Sequence, residues 1–595
     1  MVFQDFDQIS ERRRLERERK FRKKVIIAAV SAFLLVGVVA AGVVAVVISN
    51  EKTNETSKEN KAPQSQQQAP KSVSRVEKVI KTVCNRTSYA VTCQDTLKSA
   101  VQKNSSAEPK DFLKIAIQAA DDEIEKVLDK ASTFKFDSPK EKAAFEDCKE
   151  LIEDAKEELK ESIVGAGADI KNLTDNVPDL NNWLSAVMSY QQTCIDGFPE
   201  VKLRTDMEKV FKAAKELTSN SLALVSGISS LLSLLDVPGG AGRRLLEKKY
   251  DSPDLDNNGI PYWMSQEDRR MLKAEEGDKL TPNVTVAKDG SGNFTTISAA
   301  LAAIPAKYDG RYVIYIKQGV YDEQVMVTKK MVNLTIYGDG SQKTIITGNK
   351  NFVDGVQTFR TASFAALGDG FLAKAIGFRN TAGPEKHQAV AARVQADRAI
   401  FLNCRFEGYQ DTLYAQTHRQ FYRSCLILGT IDFIFGDAAA IFQNCQILTR
   451  KPMANQQTIV TAQGRIDKHE TTGIVLQNCR IEPDKELVPV KATFKSYLGR
   501  PWKEFSRTII MESKIEDFIH PEGWLAWEGD KGLSTLYYAE YNNEGPGAPT
   551  TGRVKWPGYH VINKEEAAKF TLGAPFLSGE WINATGTPVH FGLFA

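Results

Sequence analysis

Histidine is scarce in this chain: there are six in 595 residues, and only His387 and His418 lie near motif-rich sequence. The usual signatures of hydrolase and nucleotide chemistry are missing too. No G-x-S-x-G, H-E-x-x-H or Walker loop occurs, which leaves a Ser-His-Asp nucleophile, a zinc protease and a P-loop enzyme without support. None of the eight cysteines forms a C-x-x-C pair, so the common zinc and redox spacings are absent. Net charge is only +2, which argues against a nucleic-acid partner or an acidic tail protein.

What is present is unevenly spread. Residues 1–50 carry a net +4, residues 51–280 a net −6 and residues 281–595 a net +4, by count over the sequence. Two changes of sign suggest three parts, in a chain well beyond the roughly 100–200 residues of one domain. Residues 12–24 hold nine Arg or Lys, and Val25 to Ile48 then runs for 24 residues without a charge. At about 1.5 Å per residue that run exceeds the ~30 Å hydrocarbon core. It is also longer than the roughly 7–15-residue apolar core of a cleaved signal peptide. With the basic block held in the cytosol, the sequence predicts a type II signal-anchor: a tail over 1–24, a transmembrane helix over 25–48, and the rest in the lumen.

A lumenal chain can use its eight Asn-x-Ser/Thr acceptors, at Asn54, Asn85, Asn104, Asn172, Asn283, Asn293, Asn333 and Asn583. It also favours disulfides, and the cysteines split into Cys84, Cys93, Cys148, Cys194 and Cys404, Cys425, Cys445, Cys479. Residues 49–72 are polar and rich in Pro and Gln, as in a flexible stalk. From 73 to 235 the pattern turns helical. Leu113, Ala116, Ile117, Ala120, Ile124, Val127 and Leu128 follow the three-and-four spacing of one helix face, with similar stripes over 142–164 and 180–217. This predicts an antiparallel helical bundle with a solvated acidic outer face. The motif VCNRTSYAVTC (83–93), with Cys148 and Cys194, resembles the plant invertase and pectin methylesterase inhibitor domain. The resemblance implies an all-α four-helix bundle with bridges Cys84–Cys93 and Cys148–Cys194.

Residues 236–281 form a Gly-, Pro- and Asp-rich linker with two dibasic sites, Arg243-Arg244-Leu245-Leu246 and Arg269-Arg270-Met271-Leu272. Exposed pairs in such linkers are where proteases cut. Residues 282–595 differ in texture, with short Val-, Ile- and Thr-rich runs between turns. FLNCRFEG (401–408), FYRSCLILG (421–429), IFQNCQIL (441–448) and VLQNCRIE (475–482) repeat with cysteines 21, 20 and 34 residues apart. That is the signature of a solenoid, here a parallel β-helix with residues stacked in ladders. Stacked free thiols and bridges between neighbouring coils both fit the cysteine ladder. Cys425 and Cys445 are the candidate disulfide cysteines there, and the pairing among the four stays open.

Asp432 lies between Ile431 and Phe433, where an unpartnered buried carboxylate costs several kcal/mol, roughly the desolvation penalty. Asp411 precedes it by 21 residues, one coil of the repeat, which places both carboxylates on neighbouring strands. Two close carboxylates separate their pKa values and so serve acid/base and nucleophilic work without a histidine. Arg500 offers a bidentate partner, and Gln388 and Gln410 offer amide donors for an oxyanion.

The motifs GVYDE (319–323), NTAGPEKHQAVA (380–391), GYQDTLYAQTHRQFYRSC (408–425), GTIDFIFGDAAAIFQNC (429–445), TAQGR (461–465) and YLGRPW (497–502) resemble plant pectin methylesterase (pectinesterase) across 282–595. The resemblance implies a right-handed parallel β-helix that hydrolyses the methyl esters of homogalacturonan, giving methanol and pectate without a metal or other cofactor. It implies Asp432 as nucleophile, Asp411 as proton donor and then base, Gln410 and Gln388 as oxyanion stabilisers, and Arg500 as the group orienting Asp432. Thr358 and Trp502 would contact substrate, and Phe359, Tyr414, Phe435 and Trp527 are candidate sugar-stacking surfaces. RRLL-like sites separate pro-region from enzyme in that family, and Met271 departs from the pattern. The combined expectation is an anchored precursor whose bundle silences a cell-wall esterase. Its expected partners are methylesterified pectin, a processing protease of the secretory pathway and separate inhibitor proteins, with the mature form a monomer in the apoplast. A catalytically dead pectin-binding protein is the rival from another class, and intact aspartates, Arg500 and glutamines argue against it. A polygalacturonase or pectate lyase is the enzymatic rival, and it lacks its acidic motifs here.

Overall fold

The computed structural model describes residues 71–104, 111–167, 170–228 and 281–594. The membrane segment, the stalk up to Pro70 and the dibasic sites Arg243–Leu246 and Arg269–Leu272 lie outside the described residues. No described helix is long and apolar enough to cross a membrane.

The helical part runs α1 (Lys71–Cys84), α2 (Ala90–Lys103), α3 (Phe112–Ser132), α4 (Pro139–Ala166), α5 (Ile170–Asp175), α6 (Val177–Gly197) and α7 (Val201–Ser226). The apolar stripe predicted for α3 is buried as read: Leu113, Ala116, Ile117, Ala120, Ile124 and Val127 face inward, and Leu128 packs at the margin. α4 starts at a capping box in which Ser138 Oγ accepts from the Glu141 amide (3.2 Å) and the Glu141 carboxylate accepts from the Ser138 amide (3.0 Å). The stripe over 180–217 divides into α6 and α7. Pro199 has no amide proton to continue the ladder and forces the preceding Phe198 into an extended conformation, with ψ 125°. α4 packs along α6 and α3 along α7, and contacts between α6 and α7 and between α3 and α4 close the bundle. Cys84–Cys93 staples the α1–α2 hairpin, and Cys148–Cys194 ties α4 to α6. The second bridge spans 46 residues. Replacing both of its cysteines with Ser is expected to destabilise the bundle by about 4 kcal/mol, measured by denaturant melts.

From residue 284 the chain coils through three parallel sheets of eleven, seven and eight strands. Every strand pairs with the equivalent strand one coil on, so each coil covers the apolar face of the last. The residue before each ladder cysteine makes the bend between two sheets in the left-handed region: Asn403 (φ 53°), Ser424 (52°), Asn444 (56°) and Asn478 (53°). Asn tolerates that conformation better than most residues, which accounts for the recurring Asn-Cys pair. All four ladder cysteines are free thiols, so the expectation that Cys425 and Cys445 belong to a disulfide is corrected. Each thiol instead donates to a backbone carbonyl of the preceding coil, Cys425 Sγ to Phe401 O (3.3 Å) and Cys445 Sγ to Tyr422 O (3.5 Å). The same contact made at every step satisfies each thiol without pairing it to the next. Titration of the denatured, unreduced protein should give four free thiols per chain, and two would restore a ladder bridge.

Candidate active site

The seven-stranded sheet forms the floor of a groove, and its strands in chain order are β1 (Val325–Val327), β2 (Phe364–Ala366), β3 (Ala392–Val394), β4 (Leu413–Ala415), β5 (Ile434–Gly436), β6 (Thr458–Gln463) and β7 (Ser496–Gly499). Asp411 enters β4 and Asp432 enters β5, both at left-handed bends (φ 63° and 50°). These strained positions recur one coil apart, so the carboxylates are neighbours along the groove, as the 21-residue spacing predicted.

Their electrostatic surroundings differ. Arg500 holds Asp432 in a two-point ion pair, Nε to Oδ1 at 2.8 Å and Nη2 to Oδ2 at 2.5 Å. Burial pushes the Asp432 pKa up, against the pull of that guanidinium. Burial pushes Asp411 much further, with the charge of Asp432 adding to the effect and only the more distant Arg500 opposing it. The pair is therefore set so that Asp432 ionises first while Asp411 keeps its proton.

All eleven predicted groove residues line one cavity of about 400 Å³: Thr358, Phe359, Gln388, Gln410, Asp411, Tyr414, Asp432, Phe435, Arg500, Trp502 and Trp527. Tyr414 and Phe435 stack at 4.3 Å, Trp502 meets Phe435 edge-on at 6.0 Å, and Arg500 lies 4.2 Å from the Trp527 ring centre. Gln388 Oε1 is buried without a hydrogen-bond partner. Of the two histidines noted in the sequence, neither lines this cavity.

The bundle roofs this cavity, as expected of a domain that covers the groove in cis, and what sequence reasoning missed is which of its residues do so. Lys140, Asp147, Leu151, Thr193, Asp196 and Phe198 of the bundle close it, and Phe359, Tyr414, Phe435 and Ala462 belong to the same apolar cluster as the bundle core. Carboxylates of α4 and α6 reach the β-helix: Asp147 accepts from Arg360 Nε (2.7 Å), Asp154 pairs with Lys329 (3.1 Å), Asp179 with Arg419 (2.7 Å) and Asp196 with Lys503 (2.6 Å). His418 is buried between Asn182 (3.0 Å) and Tyr190 (3.1 Å) of α6. The acidic faces are thus not all solvated. The signal was the run Asp147, Glu150, Asp154, Glu157, Glu158 at three-and-four spacing, which puts five carboxylates on one side of α4.

The pectinesterase family model matches residues 283–580, and the plant invertase/pectin methylesterase inhibitor model matches residues 78–224. Pectinesterase/pectinesterase inhibitor 45 of Arabidopsis thaliana is 53% identical, with the whole of both chains covered. The chain belongs to the plant pectinesterase/pectinesterase inhibitor family. Pectinesterase/pectinesterase inhibitor 13 of the same plant is 52% identical, again over the whole of both chains. The solved pectin methylesterase from carrot is 51% identical, with TM-score 0.53, and covers 53% of this chain and all of its own. This chain is therefore a pectinesterase that carries an inhibitor-like helical domain ahead of a parallel β-helix.

Proposed function

We propose that this pectinesterase removes methyl esters from homogalacturonan through Asp432 and Asp411, and that its own bundle silences it until the linker is cut. The observation carrying the first part is the asymmetry of the pair: Asp432 is held in two-point contact by Arg500, while the buried Asp411 has no such partner. An Asp432 oxygen attacks the ester carbonyl carbon, and the amide groups of Gln388 and Gln410 donate to the resulting oxyanion. Collapse breaks the bond to the methoxy oxygen, which takes the Asp411 proton and leaves as methanol. Asp411, now ionised, removes a proton from a water molecule that attacks the anhydride. Galacturonate and the Asp432 carboxylate are released, and Asp411 is protonated again. Thr358, Trp502 and the stacked Tyr414 and Phe435 present the surface for the sugar rings.

Methanol release from methylesterified pectin by protein cut between residues 236 and 281 tests this reading, and none from folded protein would overturn it. Arg500 opposes the rise of the Asp432 pKa. Arg500→Gln is therefore expected to move the acid limb of the kcat–pH profile upward by about 1–3 units. The alkaline limb, set by deprotonation of Asp411, should move less; an unshifted acid limb would remove Asp432 as the ionised partner.

The same proposal includes the anchor at Val25–Ile48, cleavage at Arg243–Leu246 or Arg269–Leu272, and delivery of the β-helix to the cell wall. Two disulfides fit an oxidising compartment, and Asn85, Asn104, Asn283, Asn293 and Asn333 are exposed for glycan attachment.

A further inference from the structure

A buried ion pair near the C-terminal end of the β-helix takes no part in the chemistry described so far. Glu540 shares the inward face of the strand Tyr537–Tyr541 with Tyr538 and is 1% exposed, and Arg553 is 3% exposed. Arg553 Nε donates to Glu540 Oε1 (2.8 Å) and Nη2 to Oε2 (3.1 Å). Desolvation offsets most of the attraction in a pair buried this deeply, so the geometry it fixes explains it better than stability does.

That geometry leads to the end of β7. Arg553 Nη1 donates to Pro521 O (3.1 Å), and the Val554 amide donates to Glu522 O (3.1 Å). Gly523 (φ 68°) lies so close that a Cβ there would stand 2.4 Å from Arg553 Cδ. These contacts fix the turn that delivers Trp524. Its indole is 1% exposed, donates from Nε1 to Glu540 Oε1 (3.2 Å) and packs on Tyr538 with ring centres 4.4 Å apart. Trp524 bridges to Gly499, the last residue of β7: the Leu525 amide donates to Gly499 O (3.0 Å) and the Leu498 amide to Gly523 O (2.7 Å). A Cβ on Gly499 would stand 3.0 Å from Trp524 Cζ3 and 2.2 Å from Thr461 Oγ1, so the indole presses on bare backbone. Arg500 is the next residue, and the Trp527 ring, three residues beyond Trp524, has its centre 4.2 Å from the Arg500 guanidinium. One turn therefore fixes Arg500 twice, at its backbone through Gly499 and at its guanidinium through Trp527.

We propose that Trp524, Glu540 and Arg553 are positioning residues for ester hydrolysis: they set where the Arg500 guanidinium stands, and through its two-point pair they aim the Asp432 carboxylate at the ester. This rests on the reading of Asp432 as the nucleophile. The pull on the Asp432 pKa comes from Arg500, so the network reaches the nucleophile through the placing of that guanidinium. Tyr538, packed on the Trp524 indole, is near enough to feel the charges of Asp432 and Arg500, which puts the network beside the site it serves.

The test uses residues 281–595 alone; the carrot enzyme, whose entire chain matches 53% of this one, shows that such a β-helix folds without a bundle. Trp524→Phe removes the indole N–H and part of the ring, and Glu540→Gln removes the charge that holds Arg553. Each is expected to lower kcat for methanol release about 10–100-fold with KM nearly unchanged, the scale of a misplaced group at the reacting atoms. Each should also move the acid limb of the kcat–pH profile upward by about 1 unit, because a displaced Arg500 pulls less on the Asp432 pKa. In an Arg500→Gln background neither substitution should move that limb further. A thermal melt confines the comparison to folded protein, and Trp524→Phe, which leaves the ion pair intact, serves where Glu540→Gln does not fold. A lower melting temperature with a wild-type acid limb overturns the proposal and leaves the network as scaffold. A raised KM at wild-type kcat overturns it too, since the effect would then lie at the Trp527 surface. No methanol from wild type would remove the catalytic reading itself, which an unmoved limb in an active variant does not.

Discussion

Asp432→Asn is expected to lower kcat for methanol release by about 10⁴-fold or more, the scale seen when a covalent nucleophile is removed. The substitution is suited to the position. Asp432 has φ 50°, and Asn is among the few residues that accept this conformation, so the bend into β5 should survive. The amide cannot carry the negative charge that attacks the ester, and it places an NH₂ or a neutral oxygen before the Arg500 fork. Loss of the two-point pair leaves a buried guanidinium without its anion, a change that costs about 3–5 kcal/mol at buried pairs. The long ladder of inter-coil strands should absorb that cost, and a thermal melt alongside the assay shows whether it does. Asp411→Asn should behave differently. Its neutral amide imitates the protonated acid, but it has no proton to give the methoxy group and none to take from water. Methanol release above about 1% of wild type by folded Asp432→Asn would remove Asp432 as the nucleophile.

The β-helix and its groove were readable in the sequence because their causes are local and periodic. The Asn-Cys repeat marks a left-handed bend followed by an inward side chain. The Asp411-to-Asp432 spacing marks one coil, so both carboxylates fall at equivalent bends. Helix faces were legible for the same reason, and the α6–α7 break at Phe198-Pro199 was visible as a proline but was smoothed over by the continuing stripe. What the sequence did not show depends on contacts between distant segments. Periodicity says which face of α4 is polar, and nothing in it says that the polar face meets Arg360 and Lys329 some two hundred residues on. The ladder cysteines posed the same difficulty. Their spacing brings them close, but whether they pair depends on where each Sγ points, and each points at a carbonyl.

Cutting the linker and separating the bundle is expected to raise esterase activity on pectin by at least about 100-fold, equivalent to a cover held closed by about 2.8 kcal/mol. The cover is a physical one. Phe359, Tyr414 and Phe435 are 8%, 4% and 5% exposed beneath it, so a sugar ring that stacks on them would have to displace the bundle. Its hold combines apolar burial with ion pairs at Arg360, Lys329, Arg419 and Lys503. A bundle that served only as a folding aid would give equal rates before and after cleavage, and that result would sink the autoinhibition reading. Charge reversal on the bundle side isolates the cover from the chemistry. Asp147→Lys with Asp179→Lys places like charges against Arg360 and Arg419 and should raise precursor activity at least roughly tenfold, since even an exposed pair is worth about 0.2–1 kcal/mol, one partner of each of these pairs is buried, and the new repulsion adds to it. After cleavage and removal of the bundle the variant and the wild type share the same β-helix, so their rates should coincide. Activation of the uncut variant together with identity after cutting is the pattern that only a cover in cis produces.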